Sequence, residues 1–313
     1  MEQITFQEVT EQLVELYNQG KFAEADQMIH RHAERFPEQA ARMTYWRMCL
    51  LSLDGRVDET LSVFREGLAS GLWWRSDVFN DNDLDAVRDL PEFQRLVVES
   101  HKQYEEARTN IEREHVTLVP DGPTPAPYPL VIFLHGRNGH KESNRAEWEV
   151  ARQKGWLVLL AQSTQPLFPG AYCWDDPAQA MADLHYYHKQ VSQDYSVDPR
   201  RAVMAGFSQG SGMAIHAALS GEFHARGFIG IASWSADPRS LVPQTEAAKE
   251  IRGYFMTGGK DHTLETAKEI WSVMQEHGIS VAEEMHPDLA HVFPPDFERS
   301  FDSAIDFIFK EHE

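Results

Sequence analysis

A serine flanked at two residues' distance by glycines, Gly206-Phe207-Ser208-Gln209-Gly210, is the part of this 313-residue sequence best suited to chemistry. It follows the apolar run Arg201-Ala202-Val203-Met204-Ala205 and precedes a segment of helical character, Ser211 to Leu219. A hydroxyl at the tip of a tight strand-to-helix turn needs residues without a Cβ on both sides, because the backbone there is crowded against the adjoining strand and helix. Both glycines are present, so the stretch reads as a nucleophile elbow. Such a serine stays inert without a base to take its proton and a carboxylate to orient that base.

Residues for both roles lie downstream. Ile251-Arg252-Gly253-Tyr254-Phe255-Met256 reads as a buried strand, and the loop Thr257-Gly258-Gly259-Lys260-Asp261-His262 puts Asp261 past its C-terminal end, where open parallel sheets carry their chemistry. Val281 to Met285 reads as a further strand, and the loop Pro287 to Pro294 carries His291 ahead of an amphipathic C-terminal helix. Ser208, Asp261 and His291 form the working triad. Asp261 also suits the cap of a helix starting near Leu264, with Thr263 competing for that place. Asp237, after the strand Phe228 to Ala232, is the alternative acid. The chain has 15 histidines, and His286 is the alternative base; His291 is preferred because it lies in the loop beyond the strand.

An acyl-transfer intermediate also needs donors for its oxyanion, one from the N–H after the nucleophile and one from the loop after an early strand. Gln209 supplies the first. Pro129-Leu130-Val131-Ile132-Phe133-Leu134 is the strongest buried-strand run, and in the loop that follows, His135-Gly136-Arg137-Asn138-Gly139, the Arg137 N–H is the second. His135 reads as a packing and hydrogen-bonding residue outside the proton transfer.

These residues resemble the α/β-hydrolase superfamily and, within it, the phospholipase/carboxylesterase group that includes the acyl-protein thioesterases. The resemblance covers roughly Pro129 to Glu313 and rests on the His-Gly-x-x-Gly loop at 135–139, the Gly-Phe-Ser-Gln-Gly elbow, the Gly-Gly-Lys-Asp acid loop and the Ala-His-Val-Phe-Pro loop, in that order. It implies an esterase or thioesterase with no metal and no organic cofactor. Arg137-Asn138 stands where the group often has a smaller or apolar pair, and Ala290 where glycine is common; both differences bear on substrate choice.

The remaining elements agree with an α/β-hydrolase fold, a mostly parallel sheet flanked by helices. A helix around Ser143 to Gln153, a strand Trp156 to Leu160 and a helix Pro177 to Tyr195 lead to the elbow strand, and alternating strands and helices argue for a sheet covered on both faces. Between Gln162 and Asp176 lies a loop rich in aromatic residues. Phe168 and Trp174 from this loop, with Trp234, are the expected substrate-binding residues, against a reading as plain aromatic packing. The reaction read from the site is carboxylic ester hydrolysis through an acyl-enzyme. Acyl thioesterase, lysophospholipase or peptidase activity on the same fold is the alternative, and a non-catalytic binding scaffold is the alternative of a different class.

Residues 1–110 read as a separate, smaller all-α domain and 111–313 as the catalytic one, joined near Asn110 to Pro120. Hydrophobic residues recur at helical spacing, and Leu16 to Ala25 aligns with Leu51 to Thr60, each with a glycine between two helices. That pattern resembles tetratricopeptide helical hairpins, with Leu68 to Leu96 as a terminal cap. Two repeats make a poor groove. A lid, or an interface through Trp73 and Trp74 for an oligomer or a protein partner, is therefore preferred to peptide binding.

Composition sets the outer limits. Lys and Arg number 29 against 49 Asp and Glu, a net charge of −20, shared by both predicted domains. An acidic surface disfavours nucleic acid, anionic membranes and, mildly, highly anionic substrates unless Arg137 is aimed at them; the expected partner is a small-molecule ester substrate. Met1-Glu2-Gln3-Ile4-Thr5 lacks the basic-then-apolar pattern of a leader, so the expected location is cytoplasmic. Cys49 and Cys173 have no metal or redox spacing and are expected to be free thiols.

Overall fold

The computed structural model describes residues 4–121 and 126–310, so the start of the leader reading, Met1-Glu2-Gln3, lies outside the described residues. By internal contacts the chain forms two units: Met1–Ile111 with the short segment Pro166–Ala171, and Glu112–Gln165 with Tyr172–Glu313.

The first unit is built on helices α1 (Phe6–Asn18), α2 (Phe22–His32), α3 (Ala40–Leu53), α4 (Val57–Ala69), α5 (Asp85–Arg88) and α6 (Pro91–Arg108). The internal repeat is visible in its backbone. Lys21 N–H donates to Leu16 O and Arg56 N–H to Leu51 O, each at 2.9 Å, across Gly20 and Gly55 at φ 69° and 74°. A left-handed glycine past a helix end lets the chain fold back to satisfy the last carbonyls, so α1 and α3 end in the same way. Val9, Leu13, Ile29, Met43 and Leu50 pack together within this unit. Trp74 is fully buried, with its indole N–H donating to Ala41 O at 3.3 Å, and its ring packs on Phe64 at 5.8 Å between centroids. This corrects the expectation of an interface through Trp74, which is a core residue. Trp73, half-buried, packs beside Tyr104.

The second unit is a seven-stranded sheet. Its strands are β1 (His115–Leu118), β2 (Tyr128–Leu134), β3 (Leu157–Ala161), β6 (Val197–Phe207), β7 (Gly227–Ile231), β8 (Arg252–Gly258) and β9 (Ser280–His286). Between β3 and β6 the chain forms a two-stranded ribbon, β4 (Pro166–Phe168) and β5 (Ala171–Tyr172). The sheet order is β1-β3-β2-β6-β7-β8-β9, with only β1 antiparallel to its neighbour. β1 occupies what the sequence reading assigned to a linker. It is a short edge strand of which only Leu118 is buried, so it lacks the long apolar run that marks the central strands.

β2 has six buried residues in succession, as expected for a parallel strand covered on both faces. Leu130, Ile132 and Leu134 face one core with Leu184 of α8 (Pro177–Asp194), Ile215 of α9 (Gln209–Ser220) and Ile270 of α10 (Leu264–Glu276). Val131 and Phe133 face the other, with Trp148 of α7 (Arg145–Gln153) and with Phe301 and Ile308 of α11 (Phe297–Phe309). Because β6, β8 and β9 run in the same direction, the loops after them emerge at one edge of the sheet, carrying Ser208, Asp261 and His291.

Candidate active site

Ser208 sits between β6 and α9 at φ 53° and ψ −123°, a conformation that costs a non-glycine residue on the order of 1–3 kcal/mol. Its neighbours hold it there. Ser208 N–H donates to Ile231 O at 2.9 Å, and its carbonyl accepts from Ser211 N–H at 2.9 Å and Trp234 N–H at 3.2 Å. A Cβ at Gly206 would overlap the Gly210 carbonyl, and one at Gly210 would overlap the carbonyls of Leu134 and His135. The two glycines are thus required by contact with backbone, which no side-chain rearrangement relieves. Gln209 N–H opens α9, a helix of 12 residues, at its positive end.

His291 Nδ1 lies 2.8 Å from Asp261 Oδ1 and 2.9 Å from Oδ2. Asp261 Oδ1 also accepts from Thr263 N–H at 2.7 Å and Thr263 Oγ1 at 2.8 Å. Local turn capping and orientation of the histidine are therefore done by one carboxylate. Burial alone would raise the Asp261 carboxyl, but the bonds from Thr263 and His291 hold it below its ordinary value. The loops carrying the pair are stitched together by Gly259 N–H to His286 O and Lys260 N–H to Leu289 O, both 2.9 Å. Burial lowers the pKa of His291, Asp261 opposes that shift, and His262 lowers it further, its ring 4.4 Å from that of His291. The Phe207 ring next to Ser208 lies 4.9 Å from the His291 ring. Among the described residues no hydrogen bond joins Ser208 Oγ to His291 Nε2.

The rival residues have other surroundings. His286 Nε2 lies 3.1 Å from Glu284 Oε1, and Asp237 lines a groove beside the elbow. Asp261, His262 and His291 present ligand atoms within 4.8 Å of one another, a set of donors a transition metal can use. The carboxylate already serves Thr263 and His291, so hydrogen bonding accounts for the cluster.

In the loop after β2, His135 is buried with Nδ1 2.8 Å from Gly136 O, while Ser163 N–H donates to its Nε2 at 3.3 Å. These partners assign the proton to Nδ1. Burial pushes the pKa of this ring down to about 4, against the pull of the Gly136 carbonyl, so it is neutral and structural. Arg137 follows, and Asn138, at φ 65°, donates its N–H to Tyr172 O at 2.9 Å, with Tyr172 N–H returning a bond to Gly139 O at 3.0 Å.

The groove, of about 390 Å³, has Trp174, Trp234, Met213 and Leu241 among its lining, with Asp175, Gln209, His216 and Asp237 among its polar members. Trp174 and Trp234 thus come together, and the Trp174 indole N–H donates to His135 O at 2.8 Å. Phe168 is placed elsewhere. It lies in the segment grouped with the helical unit, 3% exposed, stacked on Tyr45 at 6.2 Å and beneath Arg42 at 5.7 Å, so the packing reading holds for it. The sequence reading missed Met213 and His216, which sit on α9 with no signal beyond their position after the elbow. It also missed Asp175, whose only signal was its place beside Trp174.

Residues 121–311 match the family model described as phospholipase/carboxylesterase, and residues 5–108 match one described as the N-terminal domain of A/B hydrolase-like proteins. Acyl-protein thioesterase 1 of Gibberella zeae is 28% identical over 198 residues, covering 53% of this chain and 84% of that protein. The crystal structure of an uncharacterized Bacillus cereus protein aligns over 99% of this chain and 100% of its own, with TM-score 0.53 and 22% identity. A Bacillus cereus carboxylesterase aligns over 66% of this chain and 99% of its own, with TM-score 0.51 and 15% identity. At these identities the solved structures speak to the fold alone, an α/β-hydrolase sheet.

Proposed function

The chain belongs to the phospholipase/carboxylesterase family, and from that premise we propose that it is a serine hydrolase cleaving carboxylic esters through an acyl-enzyme. The reading is carried by one observation: a serine on a strained strand-to-helix turn shares a sheet edge with a histidine whose Nδ1 is bonded to a buried carboxylate.

With Nδ1 committed to Asp261, Nε2 of His291 is the nitrogen that takes the Ser208 proton as Oγ attacks the ester carbonyl. The N–H groups of Gln209 and Arg137 stabilise the oxyanion. The protonated imidazole then gives its proton to the departing alcohol, and water attacks the acyl-enzyme by the same route in reverse. Trp174 and Trp234 with Met213 and Leu241 offer apolar walls for part of the substrate. A thioester substrate is the second reading, favoured by the likeness to acyl-protein thioesterase 1; the chemistry differs only in the leaving group.

A fluorophosphonate probe tests the reading, since it labels an activated serine covalently. The expected result is a single adduct on Ser208, located by mass spectrometry and absent from Ser208→Ala. An unlabelled protein supports the binding-scaffold alternative instead.

A further inference from the structure

We infer that Asp175 is a positioning residue that holds both proposed oxyanion donors in register, an inference that rests on the serine-hydrolase reading above. Its Oδ1 accepts a hydrogen bond from Arg137 Nη1 and another from Gln209 Nε2, each at 2.6 Å. Gln209 Oε1 accepts from Trp174 N–H at 3.0 Å, so the Gln209 amide is pinned at both ends by consecutive residues. Its orientation follows from donor chemistry: an ionised carboxylate only accepts, and a backbone N–H only donates.

The two proposed donors belong to different elements, Gln209 at the start of α9 and Arg137 in the loop after β2. One carboxylate oxygen joins the side chains of these two residues. The segment that presents it is itself fixed, with Cys173 N–H donating to Gln165 O at 2.9 Å and Tyr172 N–H to Gly139 O at 3.0 Å. The Asp175 side chain is 36% exposed, and an ion pair at that exposure adds little to stability. The effect of the carboxylate is therefore placed in geometry: it sets the distance between two N–H groups that must converge on one oxygen.

The test compares full-length wild type, Asp175→Asn, Asp175→Ala, Gln209→Ala and the Asp175→Ala/Gln209→Ala double variant on p-nitrophenyl acetate, with thermal unfolding and fluorophosphonate labelling in parallel. Gln209→Ala keeps the backbone donor and removes the side-chain amide that meets both Asp175 and Trp174. The expected result is a kcat roughly ten- to a hundredfold lower in Asp175→Ala, with KM moved by less than about threefold. Asp175→Asn, which keeps the shape and loses the charge, falls between it and wild type. The double variant is no slower than the slower single one, because both changes undo the same latch. A kcat in Asp175→Ala within about twofold of wild type, or single losses that multiply in the double variant, overturns the inference. Labelled wild type with unchanged kcat in Asp175→Ala removes the Asp175 role alone; unlabelled wild type removes the serine-hydrolase reading and this inference with it.

Discussion

The imidazole of His291 meets Asp261 with both carboxylate oxygens in reach, at 2.8 and 2.9 Å from Nδ1. Asp237, the alternative acid in the loop after β7, lines the groove instead. Asp261→Asn is expected to lower kcat by about 10³–10⁴, because an amide in place of the carboxylate favours the wrong imidazole tautomer and leaves the imidazolium without its counter-charge. Asp237→Asn should leave kcat within about threefold and act, if at all, on KM. Steady-state kinetics on one ester decide it. A large kcat loss in Asp237→Asn with little in Asp261→Asn would reverse the assignment.

The rate should depend on pH through His291. Only the neutral ring can accept the Ser208 proton, and burial with the His262 neighbour lowers its pKa. The acid limb of kcat/KM is therefore expected to lie below the ordinary histidine value of about 6.5. His262→Gln removes a group that disfavours the charged ring, so this limb should move to higher pH. An unmoved limb, or one displaced to lower pH, contradicts the electrostatic role given to His262.

His135 makes a separate prediction about stability. Its folded-state pKa of about 4 lies below the ordinary value of about 6.5 expected of the unfolded chain, so the unfolded chain binds the proton first. The stability contribution is complete above about pH 6.5 and is lost as pH falls toward 4, by up to about 3 kcal/mol. Asn at this position keeps a donor near Nδ1 and cannot be protonated. Urea unfolding midpoints taken from about pH 7 to about pH 5 should fall more steeply in wild type than in His135→Asn. Parallel curves would remove His135 from the acid sensitivity.

How far these features could be read from sequence depended on whether their signal was local. The Ser208 turn was legible because its two glycines and the strand before it are consecutive, and contact with backbone dictates them. β2, β3 and β8 were legible for a related reason: a parallel strand buried on both faces must be apolar throughout. β1 was not legible, since His115 to Leu118 is four residues at an edge with one buried side chain and nothing in its composition separates it from a linker. Aromatic residues divided by environment. Trp174 and Trp234 meet at the groove, while Phe168 and Trp74 are buried in the helical unit; all four are large apolar side chains near turns, and only tertiary packing tells them apart. Asp175 gave no signal for the same reason, because its hydrogen-bond partners Arg137 and Gln209 are far away in sequence.

The most direct measurement is hydrolysis of p-nitrophenyl esters from acetate to palmitate by wild type and Ser208→Ala. Wild type should turn over at least part of the series, and Ser208→Ala should lose covalent turnover, leaving at most a small residual rate from the remaining groups. The chain-length optimum then separates a short-chain carboxylesterase from an enzyme acting on long acyl chains. Equal activity in Ser208→Ala and wild type would contradict a serine mechanism outright, and no activity on any ester would contradict the assignment of the site to ester hydrolysis.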